Sequence, residues 1–186
     1  VAVGAYHPHQ LLALTFTKKA AGELRGRLRG LGIEGAQART FHSAALSQLR
    51  YFWPSAIGGQ ILPLQPGKAP LIAAAASRLG LGTDRALIRD LAAEIEWAKV
   101  TMVRPAVYAE RARSAQRDEI GGLDADAVAR VYAGYEAAKD ERGVIDFEDV
   151  LLSMVGMLRS REDIAAQVRG QYKHFVVDEY QDVSPL

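Results

Sequence analysis

Two short apolar segments lie near opposite ends of the 186-residue chain, and long stretches with helical spacing separate them. The first occupies residues 11–14, and the second, at residues 175–177, runs directly into Asp178 and Glu179. Apolar runs of this length are typical of strands buried in a parallel sheet, whose neighbours are connected through helices. We therefore predict an α/β domain built from the two ends of the chain, with a helical insertion between them.

The spacing of apolar residues also predicts the individual elements. A further strand is expected at 37–40, and helices are expected at 18–29, 43–52, 71–79, 84–99, 105–115, 124–142, 147–159 and 162–172. Thr17 is a suitable cap for the first helix, and Pro54 is expected to end the second. Glycine and proline between residues 55 and 70 predict an irregular connection. Asp146 and Asp149 have the spacing of a capping box.

Composition excludes several classes of protein. Hydrophobic residues make up 49% of the chain and charged residues 24%, which is typical of a folded globular protein. The absence of cysteine rules out disulfides, thiolate zinc sites and a cysteine nucleophile, and it agrees with a cytoplasmic location. No run approaches the roughly 18 apolar residues of a membrane span, so no membrane contact is expected.

Charge is distributed unevenly along the chain. Residues 1–53 contain seven basic and two acidic side chains, although the whole chain has a net charge of only +1. A basic first quarter fits contact with a polyanion, and it equally fits a solvated helix face. Charge alone leaves both interpretations open.

The two acids after the last apolar segment have the pattern of a Walker B strand. Ligands of open α/β sheets bind beyond the carboxyl ends of the strands. At that place Asp178 could hold Mg²⁺ on the phosphates of a nucleotide, and Glu179 could deprotonate the attacking water. Many strands end in an acidic turn without any such role, so the short pattern leaves that alternative open.

Longer segments resemble UvrD/PcrA/Rep-type superfamily 1 DNA helicases. Residues 175–185, FVVDEYQDVSP, resemble motif II of that family, and residues 12–21, LALTFTKKAA, resemble motif Ia. The segment 40–43, TFHS, is similar to motif Ib, and 146–152, DFEDVLL, to the stretch that precedes motif II. Lys18 stands where the family usually has asparagine, which keeps a hydrogen-bond donor and adds charge. Residues 51–54 and 94–99 are similar to actinobacterial UvrD-like members.

This resemblance implies a domain organisation and a function. Residues 1–40 and 171–186 would be parts of a RecA-like P-loop NTPase motor domain, called 1A, and residues 41–170 a helical insertion, called 1B. The cofactors would be ATP and Mg²⁺, and the partners would be single-stranded DNA and its junctions with duplex. The activity would be ATP-dependent translocation on single-stranded DNA, typically 3′ to 5′, with duplex unwinding in DNA repair or replication restart.

The resemblance also assigns roles to residues. Asp178 would hold Mg²⁺, Asp178 and Glu179 would contact the nucleotide, and Glu179 and Gln181 would be catalytic, with Gln181 linking the nucleotide to the DNA surface. The DNA contacts would be Thr15, Phe16, Thr17, Lys18, Thr40, Phe41 and His42. An aromatic ring at a strand-to-helix corner suits base stacking, and the helix start suits phosphate. An isolated phenylalanine after an apolar strand is also typical of a core residue.

One expected part of an ATP site is absent from the sequence. No Gly-x-x-x-x-Gly-Lys-Ser/Thr segment occurs, and Lys68 is followed by Ala69, which lacks the hydroxyl for Mg²⁺. In the family this phosphate loop precedes motif Ia, so residues 1–6 would end the helix that follows the loop. We expect the chain alone to be inactive as an ATPase. Two alternatives stay open: a subunit of a RecB/AddA-like helicase–nuclease, and a catalytically silent DNA-binding or scaffold module.

Overall fold

The computed structural model describes residues 7–184, so the prediction for residues 1–6 lies outside the described residues. These residues form two compact units. The first contains residues 7–61 and 153–183, and the second contains residues 62–152 with Ser184.

The elements follow the predicted order closely. The strands are β1 Leu11–Thr15, β2 Gln37–Thr40, β3 Glu119–Ile120, β4 Leu123–Asp124 and β5 His174–Val177. The α-helices are α1 Lys18–Gly30, α2 Phe41–Ala56, α3 Ala69–Arg78, α4 Arg85–Val100, α5 Pro105–Ser114, α6 Ala125–Arg142, α7 Phe147–Ser160 and α8 Glu162–Gln171. Short 3₁₀ turns occupy Pro8–Gln10 and Tyr180–Asp182. The chain is therefore mixed α/β with a small parallel sheet.

The sheet of the first unit has the order β2-β1-β5 with all strands parallel. In its register Thr15 lies beside Thr40, and Leu14 lies beside Val177. The carboxyl ends of the three strands therefore meet at one edge, as parallel connections through helices require. The candidate site residues named from the sequence all lie at or directly after these three strand ends.

One prediction about this sheet is wrong. Residues 175–177 were expected to be a buried strand, but β5 pairs with β1 on one side only within the described residues. Phe175 is 54% exposed and Val176 is 51% exposed. An apolar run predicts a strand from its composition, but its burial depends on which neighbours cover the faces, and composition does not give that.

Capping explains where the first two helices begin. The hydroxyl oxygen of Thr17 accepts a hydrogen bond from the Ala20 amide at 3.1 Å. Thr40 and Ser43 form a capping box, because each side-chain oxygen accepts from the backbone N–H of the other residue at 3.1 Å. Both caps satisfy amides that have no partner within the helix. The two helices thus start directly at the carboxyl edge of the sheet.

The predicted end of α2 before Pro54 is wrong, since the helix continues to Ala56. Proline removes the N–H that would bond to the Arg50 carbonyl, but both residues are exposed, so water can satisfy that carbonyl. The Ile57 amide still donates to the Trp53 carbonyl at 2.9 Å. The observed connection is therefore shorter than the predicted range 55–70, because α2 ends at Ala56 and Pro70 lies in the first turn of α3.

Helices α3 to α6 enclose the core of the second unit. Its fully buried members include Leu71, Ile72, Leu91, Ile95, Tyr108, Val128, Val131 and Tyr135. Helix α6 approaches α3 closely at Gly134, where an added Cβ would lie 3.2 Å from the Ala75 Cβ. Tyr108, Tyr132 and Tyr135 are buried packing residues of this unit.

A hairpin of two-residue strands, β3 and β4, was missed. Gly121 and Gly122 connect them with φ angles of 59° and 81°, the backbone that a tight hairpin turn requires. Strands of two residues are too short to show alternation, so only the glycine pair pointed to the turn.

No helix among residues 7–184 is long and apolar enough to cross a membrane.

The start of α7 is fixed by a buried charge network within the second unit. The Asp146 carboxylate accepts from Lys99 at 2.6 Å, from Lys139 at 3.1 Å and from the Tyr135 hydroxyl at 2.8 Å. Asp146 and Asp149 also bond reciprocally to each other's amides at 2.9 Å, which confirms the predicted capping box. Burial works against the ionised carboxyl, yet the two ammonium groups hold the pKa of Asp146 well below its usual range.

Candidate nucleotide and nucleic-acid site

Asp178 is fixed between the carboxyl ends of two strands. It directly follows β5, and its amide donates to the Leu14 carbonyl of β1 at 2.9 Å. The Thr15 hydroxyl donates to Asp178 Oδ2 at 3.3 Å, and Thr15 is only 2% exposed. Asp178 itself is half-buried. The carboxylate therefore faces the end of β1 at the edge where ligands of parallel sheets bind.

Glu179 adopts an uncommon backbone conformation beside it. Its φ of 53° and ψ of 48° lie in the left-handed region, which a residue with a Cβ rarely occupies. The conformation turns the chain sharply into the 3₁₀ turn Tyr180–Asp182, and the Asp182 amide donates to the Glu179 carbonyl at 2.9 Å. The exposed Glu179 carboxylate accepts a hydrogen bond from the Gln181 amide nitrogen. Strain of this kind concentrates at functional sites.

The donor set suits a magnesium ion that a nucleotide also binds. Mg²⁺ is usually held by one or two carboxylates together with phosphate oxygens and water. Asp178 offers a half-buried carboxylate with one oxygen bonded to Thr15. Among residues 7–184 no group of three acidic or histidine side chains could hold a metal on its own. The carboxylate of Asp178 thus fits a Mg²⁺ ion whose other ligands are phosphate oxygens and water.

Two aromatic rings meet at the ends of β1 and β2. Phe16 follows β1 and is 44% exposed, so it is not the core residue that an isolated phenylalanine would suggest. Its ring centroid lies 5.1 Å from that of Phe41, and the ring planes are inclined at 42°. Phe41 is the first residue of α2 and is half-buried. The pair forms a partly exposed aromatic surface on the sheet edge that also bears Asp178.

The other residues predicted to contact DNA surround this pair. Thr17 and Lys18 are exposed at the start of α1, while Thr40 and His42 are half-buried at the start of α2. Thr15 differs from the rest, since its buried hydroxyl is directed at Asp178. The fold therefore brings all seven predicted DNA residues to the edge that also bears Asp178. These eight residues come from three separate segments of the sequence.

Sequence reasoning missed two features of this site. It did not identify the Phe16–Phe41 ring contact, although the position of both residues immediately after parallel strands was a usable signal. It also gave no indication of the left-handed Glu179 backbone, because glutamate is not among the residue types that favour that conformation. The hydrogen bond from Gln181 to Glu179 depends on this turn.

Comparison with known proteins assigns the family. The family model described as the UvrD/REP helicase N-terminal domain matches residues 1–186. The chain is 43% identical to the ATP-dependent DNA helicase UvrD2 of Mycobacterium tuberculosis. The alignment spans 197 residues and covers 100% of this chain and 28% of the relative. It is 32% identical to UvrD1 of Mycobacterium bovis over 94% of this chain and 23% of the relative. It is 29% identical to PcrA of Leuconostoc citreum over 95% of this chain and 23% of the relative.

The chain spans less than a third of the length of these relatives. Each of them is named an ATP-dependent DNA helicase. The resemblance inferred from the motifs, including its similarity to actinobacterial UvrD-like members, is confirmed. The chain belongs to the UvrD/REP helicase N-terminal domain family.

Proposed function

We propose that this chain is part of an ATP-dependent motor that moves along single-stranded DNA, 3′ to 5′, and unwinds duplex in DNA repair or replication restart. The observation that carries the proposal is the convergence at one sheet edge of the Thr15–Asp178 hydrogen bond and the Phe16–Phe41 ring pair. Thr15 bonds to a carboxylate suited to a metal-bound nucleotide, and the next residue, Phe16, is one of two rings suited to bases. A change at the nucleotide can therefore reach the DNA surface through Thr15 and Phe16.

The domain assignment supports this function. We assign residues 1–40 and 171–186 to a RecA-like domain 1A and residues 41–170 to an inserted helical domain 1B. The three-stranded parallel sheet and the helical core of the second unit agree with a sheet domain that an insertion interrupts. Helix α2, within 41–170, is part of the compact unit that contains the sheet.

Each acidic residue has a separate role in the proposed reaction. Asp178 holds Mg²⁺, which when bound neutralises charge that develops on the phosphates of ATP. Glu179 accepts the proton of the attacking water, because its carboxylate is exposed and lies next to Asp178. Gln181 donates to Glu179 and orients that carboxylate.

DNA binding combines stacking with phosphate contacts. Phe16 and Phe41 stack on bases, since every base offers a flat face and the contact does not depend on sequence. The hydroxyls of Thr17 and Thr40, the ammonium of Lys18 and the ring of His42 lie at the starts of α1 and α2, where helix amides favour anions. Partners on this edge are single-stranded DNA and its junctions with duplex.

The experiment that tests the nucleotide site uses Glu179→Gln in a longer polypeptide that contains this chain together with a phosphate loop. Loss of the base should lower ATP turnover by about 100-fold or more, while ATP binding is retained because Asp178 is intact. Glu119→Gln, an exposed change in the β3–β4 hairpin, is the matched control and should leave turnover unchanged. Turnover that is unaffected by Glu179→Gln would exclude Glu179 as the base.

A further inference from the structure

Helix α1 carries a line of basic side chains that leads away from Phe16. Lys18, Arg25 and Arg29 are spaced at i, i+7 and i+11, which places them within about 40° of one another around the helix. Gly22 occupies the same line between the first two. All four residues are exposed. We call Lys18, Arg25 and Arg29 the basic stripe.

The middle residue of the basic stripe is anchored to β2. Arg25 Nη1 donates to the Ala38 carbonyl of β2 at 2.8 Å, so this guanidinium is held in place. Its Nη2 lies 3.9 Å from the position that a Cβ on Gly22 would take. The guanidinium thus extends back along the helix toward Lys18, the direction that helical side chains prefer. Because Gly22 has no side chain, a ligand backbone can approach the helix between the two cations.

No carboxylate neutralises the basic stripe within residues 7–184. None of its three cations has an acidic partner within 4.0 Å, in contrast to Lys68, Lys99, Lys139, Arg113 and Arg117 in the second unit, which all do. Glu34 lies in the shallow groove beside Arg25 and Arg29 without forming an ion pair with either. Three cations without an ion pair leave a local positive field that would attract a polyanion.

We propose that the basic stripe binds successive phosphates of the DNA strand whose base stacks on Phe16. This inference rests on the proposed function. The distance from Lys18 to Arg29 along the helix axis is about 16 Å, enough to follow several phosphates of a single strand. Lys18 belongs to the predicted DNA surface, and Arg25 and Arg29 extend that surface along the flank of α1. The path of the DNA thus leaves the sheet edge and continues beside β2.

The experiment measures how the affinity of the 186-residue chain for labelled oligodeoxythymidine of about 15 nucleotides depends on salt. Arg29→Gln should reduce the magnitude of the log–log salt slope by about 0.7, the value of one phosphate contact on single strands. Arg27→Gln is the matched control, because it removes the same charge from the same helix on a side about 160° away. Arg27→Gln should leave the slope unchanged.

Each outcome decides the proposal. Equal changes of the salt slope in Arg29→Gln and Arg27→Gln would overturn it, because binding would then depend only on the overall charge of the helix. An unchanged slope in both variants would also overturn it, because neither side chain would then contact phosphate. Circular dichroism verifies that both variants are folded, as expected for exposed side chains without ion pairs. Phe16→Ala tests the proposed function separately. If Phe16→Ala weakens binding and Arg29→Gln does not, the DNA surface exists without the basic stripe, and if the unmodified chain does not bind, both proposals fail.

Discussion

Phe16 illustrates how single residues of the site acquire their position. The strand β1 ends at Thr15, whose side chain is buried against Asp178, so the next side chain emerges at the sheet edge. Thr17 then caps α1 and fixes the backbone on the other side. Phe16 is therefore constrained on both sides and remains 44% exposed next to Phe41. A ring that is held in place without being buried loses little conformational entropy when a base stacks on it.

Replacing Phe16 with alanine should weaken binding of single-stranded DNA by about 1–3 kcal/mol, the contribution of one stacked base. Fluorescence anisotropy with labelled oligodeoxythymidine would measure the change. Tyr51→Ala is the matched control, since Tyr51 is an aromatic residue of the same unit that is 73% exposed and lies away from the carboxyl edge on α2. Equal losses in both variants would remove Phe16 from the DNA surface.

The location of the candidate site residues was predictable, while their conformation was not. The apolar run before Asp178 and the position of Phe16 after β1 indicated the carboxyl edge from sequence alone. The left-handed backbone of Glu179 leads the chain from the end of β5 into the 3₁₀ turn Tyr180–Asp182. That path comes from the tertiary fold, so no local pattern could have predicted it.

At the scale of elements, capping and apolar periodicity determined most boundaries. Helix α1 begins after the Thr17 cap, as predicted, and ends at Gly30, one residue beyond the predicted end, because both ends depend on residues close in sequence. The ends that were missed depend on solvation or length. Pro54 is tolerated in α2 because the freed carbonyl is exposed, and β3 and β4 are too short to show a period.

Asp146→Asn should lower the free energy of unfolding by about 3 kcal/mol or more. Asparagine can still cap α7, but it removes the charge that Lys99 and Lys139 face in a buried setting, and such losses typically cost 3–5 kcal/mol. Urea unfolding would measure the change. Asp163→Asn is the control at the start of α8, where it removes only an exposed ion pair with Arg161 and should leave the stability nearly unchanged. Similar losses in both variants would show that the buried network contributes no special stability.

The same network predicts how stability depends on pH. The pKa of Asp146 is lowered in the folded state, so its stabilisation is fully present above the unfolded pKa of about 3.9 and is lost as pH falls toward the lower folded pKa. Thermal unfolding measured downward from about pH 5 should show this decline, and the decline should be smaller in Asp146→Asn. Identical pH profiles of the two proteins would contradict the shift.

At the scale of the whole chain, the groups proposed to bind DNA are present, while a group needed for ATP hydrolysis is not in the sequence. The described residues bring a carboxylate suited to a metal, a candidate base and the proposed DNA surface to one edge. The sequence contains no Gly-x-x-x-x-Gly-Lys-Ser/Thr segment, whose amides and lysine bind the phosphates of ATP in this class of motor. The exposed apolar face of β5 was unpredictable for a related reason, because burial is a property of the assembled sheet.

The chain alone should therefore bind single-stranded DNA without hydrolysing ATP. Asp178 and Glu179 can complete a reaction only on a triphosphate that other groups hold, since two adjacent carboxylates repel phosphate in the absence of cations. A phosphate-release assay with the purified 186 residues, ATP and Mg²⁺ should give a rate indistinguishable from that of the Glu179→Gln variant, with or without oligodeoxythymidine. A rate that depends on magnesium and disappears in Glu179→Gln would mean that these residues bind the phosphates without the glycine-rich loop.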